Sequence, residues 1–130
     1  MDYGTTVTTD LGFEEAVAAT RAALAEQGFG VLTEIDVQAT LKAKLGEEME
    51  PYLILGACNP QLAHRALGIE RDLGLLLPCN VVVRVADGRT LVQALDPQVM
   101  VSLPGKPELQ DVADEATRRL GAALDAVAAT

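Results

Sequence analysis

Hydrophobic and polar residues follow two different periods along the first third of this chain. Residues 3–9 are rich in threonine and favour an opening strand, suited to the edge of a sheet. Apolar residues then recur at the spacing of an amphipathic helix, which Gly28 ends. From Phe29 to Asp36 the period changes to two, so we predict a second strand, one face of which carries carboxylates.

A short helix, a buried strand and a longer helix are predicted next. The short helix runs from Val37 to Leu45 with Asp36 as its cap, and residues 47–50 form an exposed acidic loop. An apolar strand follows from residue 51 or 52 to Ala57. Asn59 and Pro60 are a strong helix start, because proline lacks the N–H that would be unpaired there. This helix is expected to run to residue 73 and stop at Gly74.

The last third of the chain predicts a hairpin and a final helix. Residues 81–86 alternate up to Asp87-Gly88, a strong hairpin signal, and residues 90–95 form the returning strand. Prolines and a glycine between residues 97 and 107 predict a loop of about ten residues. The final helix starts near Pro107, and its apolar stripe ends at Val127.

The order β-α-β-(α)-β-α-β-β-α predicts an α+β fold in one domain, residues 1–130. We expect a twisted mixed sheet of about five strands with helices mainly on one face, and with Leu55 and Val83 fully buried on central strands. The other sheet face is then either solvated or covered by a second copy. Residues 53–57 and 75–83 look apolar on both faces, which favours a two-fold homodimer burying more than about 1,000 Å² in total.

Composition and charge exclude several classes of partner. The formal net charge of −9 argues against nucleic acid and anionic membranes. No apolar run is long enough to span a bilayer and no basic, apolar leader is present, so the sequence predicts a cytoplasmic protein. In a reducing compartment its two cysteines are expected to be free thiols. No nucleotide-binding loop, metal-ligand spacing or catalytic set is visible, so we predict no cofactor and no metal.

The best candidate site lies where two apolar runs end in the same dipeptide, Cys58-Asn59 and Cys79-Asn80. A thiol at Cys58 would precede a helix N-terminus, whose N–H groups can stabilise a thiolate, although a cysteine closing an apolar strand is commonly inert packing. Cys79 is expected to be buried inside the sheet. Asn59 is interpreted mainly as a helix cap, and Asn80 either as a structural brace or as a ligand contact.

Two other groups of residues are weaker candidates. Glu34 shares a strand face with Asp36, and the two could act as an acid and base, although a solvated face or a helix cap is the ordinary interpretation. His64 follows Cys58 by six positions and is interpreted as a solvent-facing helix residue, because the other ligands of a metal site are missing.

Three segments resemble a known family. Residues 28–37 (GFGVLTEIDV), 54–60 (ILGACNP) and 75–83 (LLLPCNVVV) are similar to those of the bacterial and archaeal "domain of unknown function 302". The resemblance extends from about Phe13 to Pro97. It implies a small α+β domain that is usually homo-oligomeric, and it implies no established activity, cofactor or catalytic residue.

Two functions from different classes follow. The sequence favours a non-catalytic homodimeric module that holds a small ligand at its sheet faces or subunit seam, with Glu34, Asn59 and Asn80 as polar contacts. The alternative is a thiol-dependent redox or sulfur-handling protein that uses Cys58, with Cys79 as the resolving or supporting thiol. In either case we expect the site to include the Cys58-Asn59-Pro60 junction, with Cys79 or Asn80 close to it.

Overall fold

Five strands form one open sheet. The computed structural model describes residues 1–130, and its strands are β1 (Gly4–Thr9), β2 (Gly30–Asp36), β3 (Tyr52–Cys58), β4 (Cys79–Ala86) and β5 (Arg89–Leu95). Their order across the sheet is β1-β5-β4-β3-β2, so β1 and β2 are the edges. The α+β class and the five-strand sheet predicted from the sequence are confirmed.

Five helices accompany the sheet: α1 (Phe13–Glu26), α2 (Val37–Leu45), α3 (Pro60–Ile69), α4 (Val99–Ser102) and α5 (Gln110–Ala128). Two 3-10 turns, Arg71–Leu76 and Pro107–Leu109, precede β4 and α5. None of the helices is both long enough and apolar enough to cross a membrane.

Every neighbouring pair of strands is antiparallel, which corrects the expectation of a mixed sheet. Parallel neighbours need a connection that crosses the sheet from one end to the other. Here α2 joins the neighbours β2 and β3, and α3 joins the neighbours β3 and β4. Each of these helices therefore returns the chain to the end of the sheet from which it left.

One face of the sheet is covered by α1 and α5. Leu55 and Val83 are 0% exposed on this face, as predicted, and neither lies on an edge strand. They pack in a core cluster with Leu24 of α1 and Leu124 of α5. A second cluster joins α3, α4 and the start of α5 around Leu73, Met100, Leu109 and Val112. The two clusters together place α1, α3, α4 and α5 on a single side of the sheet, whereas α2 has no buried residue and belongs to neither cluster.

A bulge in β2 changes the faces predicted for that strand. The pairing with β3 shifts between Val31 and Thr33, so Leu32 is an extra residue. Val31 packs on the core, but Thr33 and Ile35 pair with Gly56 and Ile54 on the uncovered side. Simple alternation had placed all three on one face, and it was wrong because the inserted residue reverses the direction of those that follow.

The helix after Asn59 is shorter than predicted. It ends at Ile69 rather than near residue 73, because Glu70 is extended and its carboxylate accepts a hydrogen bond from the N–H of Asp72. This local bond starts a new 3-10 turn instead of continuing the helix. Leu75 is 89% exposed in that turn, so the apolar run of residues 75–83 is not one strand.

Of two further connections, the turn between β4 and β5 was predicted correctly and the loop after β5 was not. The Asp87-Gly88 hairpin is confirmed, and both residues have the positive φ angles (52° and 75°) of a tight two-residue turn. The loop of residues 97–107 is more regular than expected, because it contains α4. Met100 of α4 is buried in the second cluster, and this tertiary contact stabilises a helix too short to be seen as a periodic pattern.

Candidate functional site

The junction of β3 with α3 is built by a helix cap. Oδ1 of Asn59 accepts a hydrogen bond from the N–H of Leu62 at 3.2 Å, and Pro60 occupies the first helical position. Asn59 is only 6% exposed, so its amide is committed to holding the start of α3 beneath neighbouring side chains. The predicted cap is thus present, and Cys58 is the last residue of β3, directly before it.

Cys58 and Cys79 line the same small cavity at this junction. Cys79 pairs with Ala57 across the β3–β4 ladder, which brings the next residue, Cys58, beside it. The cavity has a volume of about 30 Å³ and is otherwise lined mostly by apolar side chains of α3, α4 and α5. A space of this size holds about one water molecule, whereas small-molecule sites are roughly ten times larger or more. The two cysteines therefore border a packing defect rather than a substrate pocket.

Burial determines the state of the inner thiol. Cys79 is 6% exposed, and desolvation, followed by the nearby Cys58, raises its pKa from 9.0 to about 11. A thiolate is the nucleophilic form of cysteine, and at neutral pH Cys79 is held in the protonated form. Both cysteines are free, and Cys58 is half-buried.

The remaining candidates lie away from this cavity. Asn80 is exposed on the other face of the sheet, opposite Gly56. Glu34 forms an ion pair with Arg21 of α1, and Asp36 accepts a hydrogen bond from the N–H of Ala39 as the cap of α2. His64 is exposed on α3. No three His, Cys, Asp or Glu side chains cluster closely enough to hold a metal ion.

The sheet face opposite α1 and α5, called the open face below, has a distinctive composition. Its residues are identified by the strand register, because directly paired residues share a face. Valine, leucine and isoleucine alternate there with neutral polar residues, and the only charged side chains are Arg84 and Arg89. The open face comprises Gly4, Thr6, Thr8, Thr33, Ile35, Tyr52, Ile54, Gly56, Asn80, Val82, Arg84, Ala86, Arg89, Leu91, Gln93 and Leu95.

None of the strand residues on the open face is acidic, although the chain has 19 acidic residues. The only acidic residues within strands are Glu34 and Asp36 of β2. Both pair with buried residues of β3, Leu55 and Leu53, and so belong to the helix-covered side. No strand therefore directs a carboxylate onto the open face, and Asp10, in the turn after β1, reaches it only to pair with Arg89 at 3.6 Å.

A groove of about 660 Å³ lies in the open face, over β1, β5, β4 and β3. Arg84 on the central strand β4 is the only charged side chain that lines it. Its Nε donates a hydrogen bond to Oε1 of Gln93 at 3.0 Å, and Nε2 of Gln93 donates to Oγ1 of Thr6 at 3.1 Å. Arg84 has no acidic partner. The groove also contains both tyrosines of the chain, Tyr3 and Tyr52.

Of the residues predicted as site candidates, the structure brings Cys58, Asn59 and Cys79 together and places Asn80 alone in the groove. The sequence analysis did not single out Arg84, Tyr3 or Tyr52. A signal was available, because residues 79–86 alternate in direction and Arg84 falls on the same side as Asn80. Its importance depends on the pairing of β4 between β3 and β5, which local patterns do not reveal.

An open antiparallel sheet with helices on one side defines the structural class of this protein, and comparisons with known proteins define its family. The model of the family "Domain of unknown function DUF302" matches residues 5–127. The chain belongs to the DUF302 family. It is similar to the "uncharacterized conserved protein DUF302 from Bacillus stearothermophilus", whose crystal structure has a TM-score of 0.91 and 32% sequence identity, with 97% of this chain and 98% of the other covered. No match was found among curated proteins.

Proposed function

We propose that this protein is a homodimeric, non-catalytic binding module in which two copies meet through their open faces and hold a small ligand between them. The observation that carries the proposal is the exclusion of carboxylates from a half-apolar face in a chain of net charge −9. A face in contact with water has no reason to exclude them, because exposed carboxylates favour solubility. In a face that meets its own copy, carboxylates would repel one another across the seam. Of the two arginines on this face, Arg89 is already paired with Asp10, and only Arg84 has no acidic partner.

The dimensions of the sheet support this dimer. Strands of six to eight residues, spaced about 4.8 Å apart, give the five-strand sheet a flat footprint of roughly 500 Å². Two such faces bury about 1,000 Å² in total before the relief of the side chains is counted, which reaches the lower limit of specific interfaces. Val82, Leu91 and Leu95 are already half-buried on this face and supply its apolar part.

The groove in the open face supports the other part of the proposal, that the two copies hold a small ligand between them. Its volume of about 660 Å³ is in the range of small-molecule sites. A second copy packed about 10 Å away would close it from above and leave Asn80 and Arg84 as polar contacts. Neither Glu34 nor Asn59 lines the groove, since one is paired with Arg21 and the other caps α3.

Light scattering after size exclusion, at about 5 to 50 µM protein, tests the dimer. We expect a dimer for the native chain and a monomer for Ile54→Glu, which places one carboxylate per copy on the open face. Leu103→Glu is the matched control, because Leu103 is 68% exposed beside α4 in the helix layer. It should remain dimeric. A native chain that is monomeric at 50 µM, or a dimer unaffected by Ile54→Glu, would contradict the proposal.

Thiol chemistry is the alternative function, and the shared cavity of Cys58 and Cys79 is the observation that favours it. The raised pKa of Cys79 weighs against it, since a protonated thiol neither attacks nor resolves. Alkylation by iodoacetamide at pH 7 separates the two functions. Rapid labelling of Cys58 in the folded protein would favour the thiol protein, and labelling of both cysteines only after denaturation would favour the binding module.

A further inference from the structure

Arg84 is an unpaired positive charge at the centre of the sheet. It lies on β4, the central strand, is half-buried, and lines a groove that has no acidic residue in its lining. A guanidinium that loses part of its hydration normally gains an acidic partner, because its five N–H donors are costly to leave unpaired. In a chain with almost twice as many acidic as basic residues, the missing partner at this position points to an anion supplied from outside.

The hydrogen bonds around Arg84 leave its anion-binding atoms free. Nε is occupied by Gln93, which is itself held by Thr6, so three neighbouring strands fix the plane of the guanidinium. The two terminal amino groups make no hydrogen bond or ion pair within the chain. Paired guanidinium N–H groups match the two oxygens of a carboxylate, and a preordered fork loses less entropy when it binds one.

The rest of the groove fits the body of an organic molecule. Tyr3 and Tyr52 supply aromatic surface, Val82 and Leu95 supply aliphatic surface, and Asn80 supplies one neutral amide. Such a lining, mostly apolar with a few polar groups that fix orientation, is typical of small-molecule sites. The overall charge of −9 repels anions at a distance, but salt screens this repulsion beyond about 8 to 10 Å, so the local field of Arg84 dominates inside the groove.

We propose that the groove binds a small organic carboxylate, with the carboxylate on the terminal amino groups of Arg84 and the carbon body against Tyr3, Tyr52 and Val82. This inference rests on the proposed function, because it names the ligand class of the same face. It extends that function by identifying the residue that selects the ligand.

Hexanoate and its neutral amide, hexanamide, are the probes. They differ in charge and barely in size, and neither absorbs where tyrosine does. Because the chain has no tryptophan and both tyrosines line the groove, tyrosine emission reports directly on this site. We expect hexanoate to change the emission saturably and to bind at least about tenfold more tightly than hexanamide, the ratio that one charge-assisted pair provides.

Three variants test the role of Arg84. Arg84→Gln should abolish the preference for hexanoate over hexanamide, and Arg84→Lys should retain only part of it, because an ammonium is a point charge without a planar fork. Arg89→Gln is the matched control: it removes the same charge from the same face, but Arg89 pairs with Asp10 at 3.6 Å and lies outside the groove. It should bind hexanoate like the native chain. Circular dichroism checks that each variant is folded.

The outcomes separate this inference from the dimer. Equal affinity for hexanoate and hexanamide, no binding of hexanoate, or an undiminished preference in folded Arg84→Gln would overturn the carboxylate site. An Arg84→Lys variant as selective as the native chain would overturn the two-point contact. Light scattering is run on the same samples. If the protein is a dimer but does not bind hexanoate, only the proposed carboxylate site is refuted. If the protein is a monomer and binds hexanoate through Arg84, the carboxylate site is supported and the proposed dimer interface is refuted.

Discussion

Replacing Gly56 with alanine should destabilise the protein, because the added methyl group has no room. Gly56 lies on β3 with its missing side chain directed at the open face, between Thr33 of β2 and the ring of Pro78. A Cβ at this position would overlap Oγ1 of Thr33 and lie 2.9 Å from Cγ of Pro78. Carbon atoms in ordinary contact are about 3.5 to 4.0 Å apart, so the ring must withdraw by at least about half an ångström.

The size of this destabilisation depends on which of the two contacting residues, Thr33 or Pro78, can move away from the added methyl group. Thr33 is exposed and can change rotamer, but the ring of Pro78 is part of the backbone just before β4. Overpacking against atoms of this kind costs about 1 to 3 kcal/mol. Gly121→Ala is the matched control, because Gly121 is inside α5 with no atom within 4 Å of its added Cβ. There the same change should stabilise by about 0.5 to 1 kcal/mol, since alanine is the better helix former.

Urea denaturation followed by far-ultraviolet circular dichroism measures both variants, since the chain has no tryptophan. The midpoint should fall for Gly56→Ala and rise for Gly121→Ala. Adding Thr33→Ala to Gly56→Ala should recover only part of the loss, because Pro78 remains in place. A Gly56→Ala midpoint at or above that of the native chain would refute the packing, and full recovery in the double variant would refute the contribution of Pro78.

Three further predictions concern the core, the cap and the inner thiol. Leu55→Ala should lower the free energy of unfolding by about 2 to 5 kcal/mol, whereas Leu75→Ala, at a side chain 89% exposed, should change it by less than about 0.5 kcal/mol; equal urea midpoints would show that the sheet is misplaced. Asn59→Ala should cost about 1 kcal/mol through loss of the cap to Leu62, and an unchanged thermal midpoint would contradict that role. Because the pKa of Cys79 is raised from 9.0 to about 11, the unfolded chain loses this proton first, so stability should fall by about 2 to 3 kcal/mol as the pH rises through that window. Cys79→Ala should lack this contribution, and parallel pH profiles of the two proteins would contradict the raised pKa.

Local signals in the sequence were sufficient to place most elements of the fold. Asp36 and Asn59 cap the helices predicted after them, and Asp87-Gly88 forms the predicted turn, because each depends on hydrogen bonds or φ angles within a few residues. The predictions from sequence were wrong where contacts between residues far apart in the sequence determine the local structure. The bulge at Leu32 is set by pairing with β3, and α4 is stabilised by burial of Met100.

For the candidate site, too, the features set by neighbouring residues were predictable from the sequence, and those set by strand pairing were not. That Cys58 lies at a strand-to-helix junction follows from the neighbouring residues, and the structure agrees. That Cys79 lies beside it depends on which strands are neighbours, and the sequence allowed this without requiring it. Arg84 was overlooked because its own neighbours are ordinary. Its setting becomes unusual only when three strands assemble a face without carboxylates around it.

The low tendency of acidic residues to occur in strands does not by itself explain that face. Asp and Glu are generally depleted in sheets, yet β2 carries Glu34 and Asp36 on its other side. The open face also accepts threonine, asparagine, glutamine and two arginines, so polarity as such is tolerated there and only negative charge is missing. Two sheets packed about 10 Å apart would bring opposed carboxylates within one screening length of each other. An anion held by Arg84 would be repelled by the same carboxylates. A dimer seam and a carboxylate site thus impose the same constraint on this surface, and Ile54→Glu should weaken both hexanoate binding and dimerisation, whereas Arg84→Gln should weaken only the first.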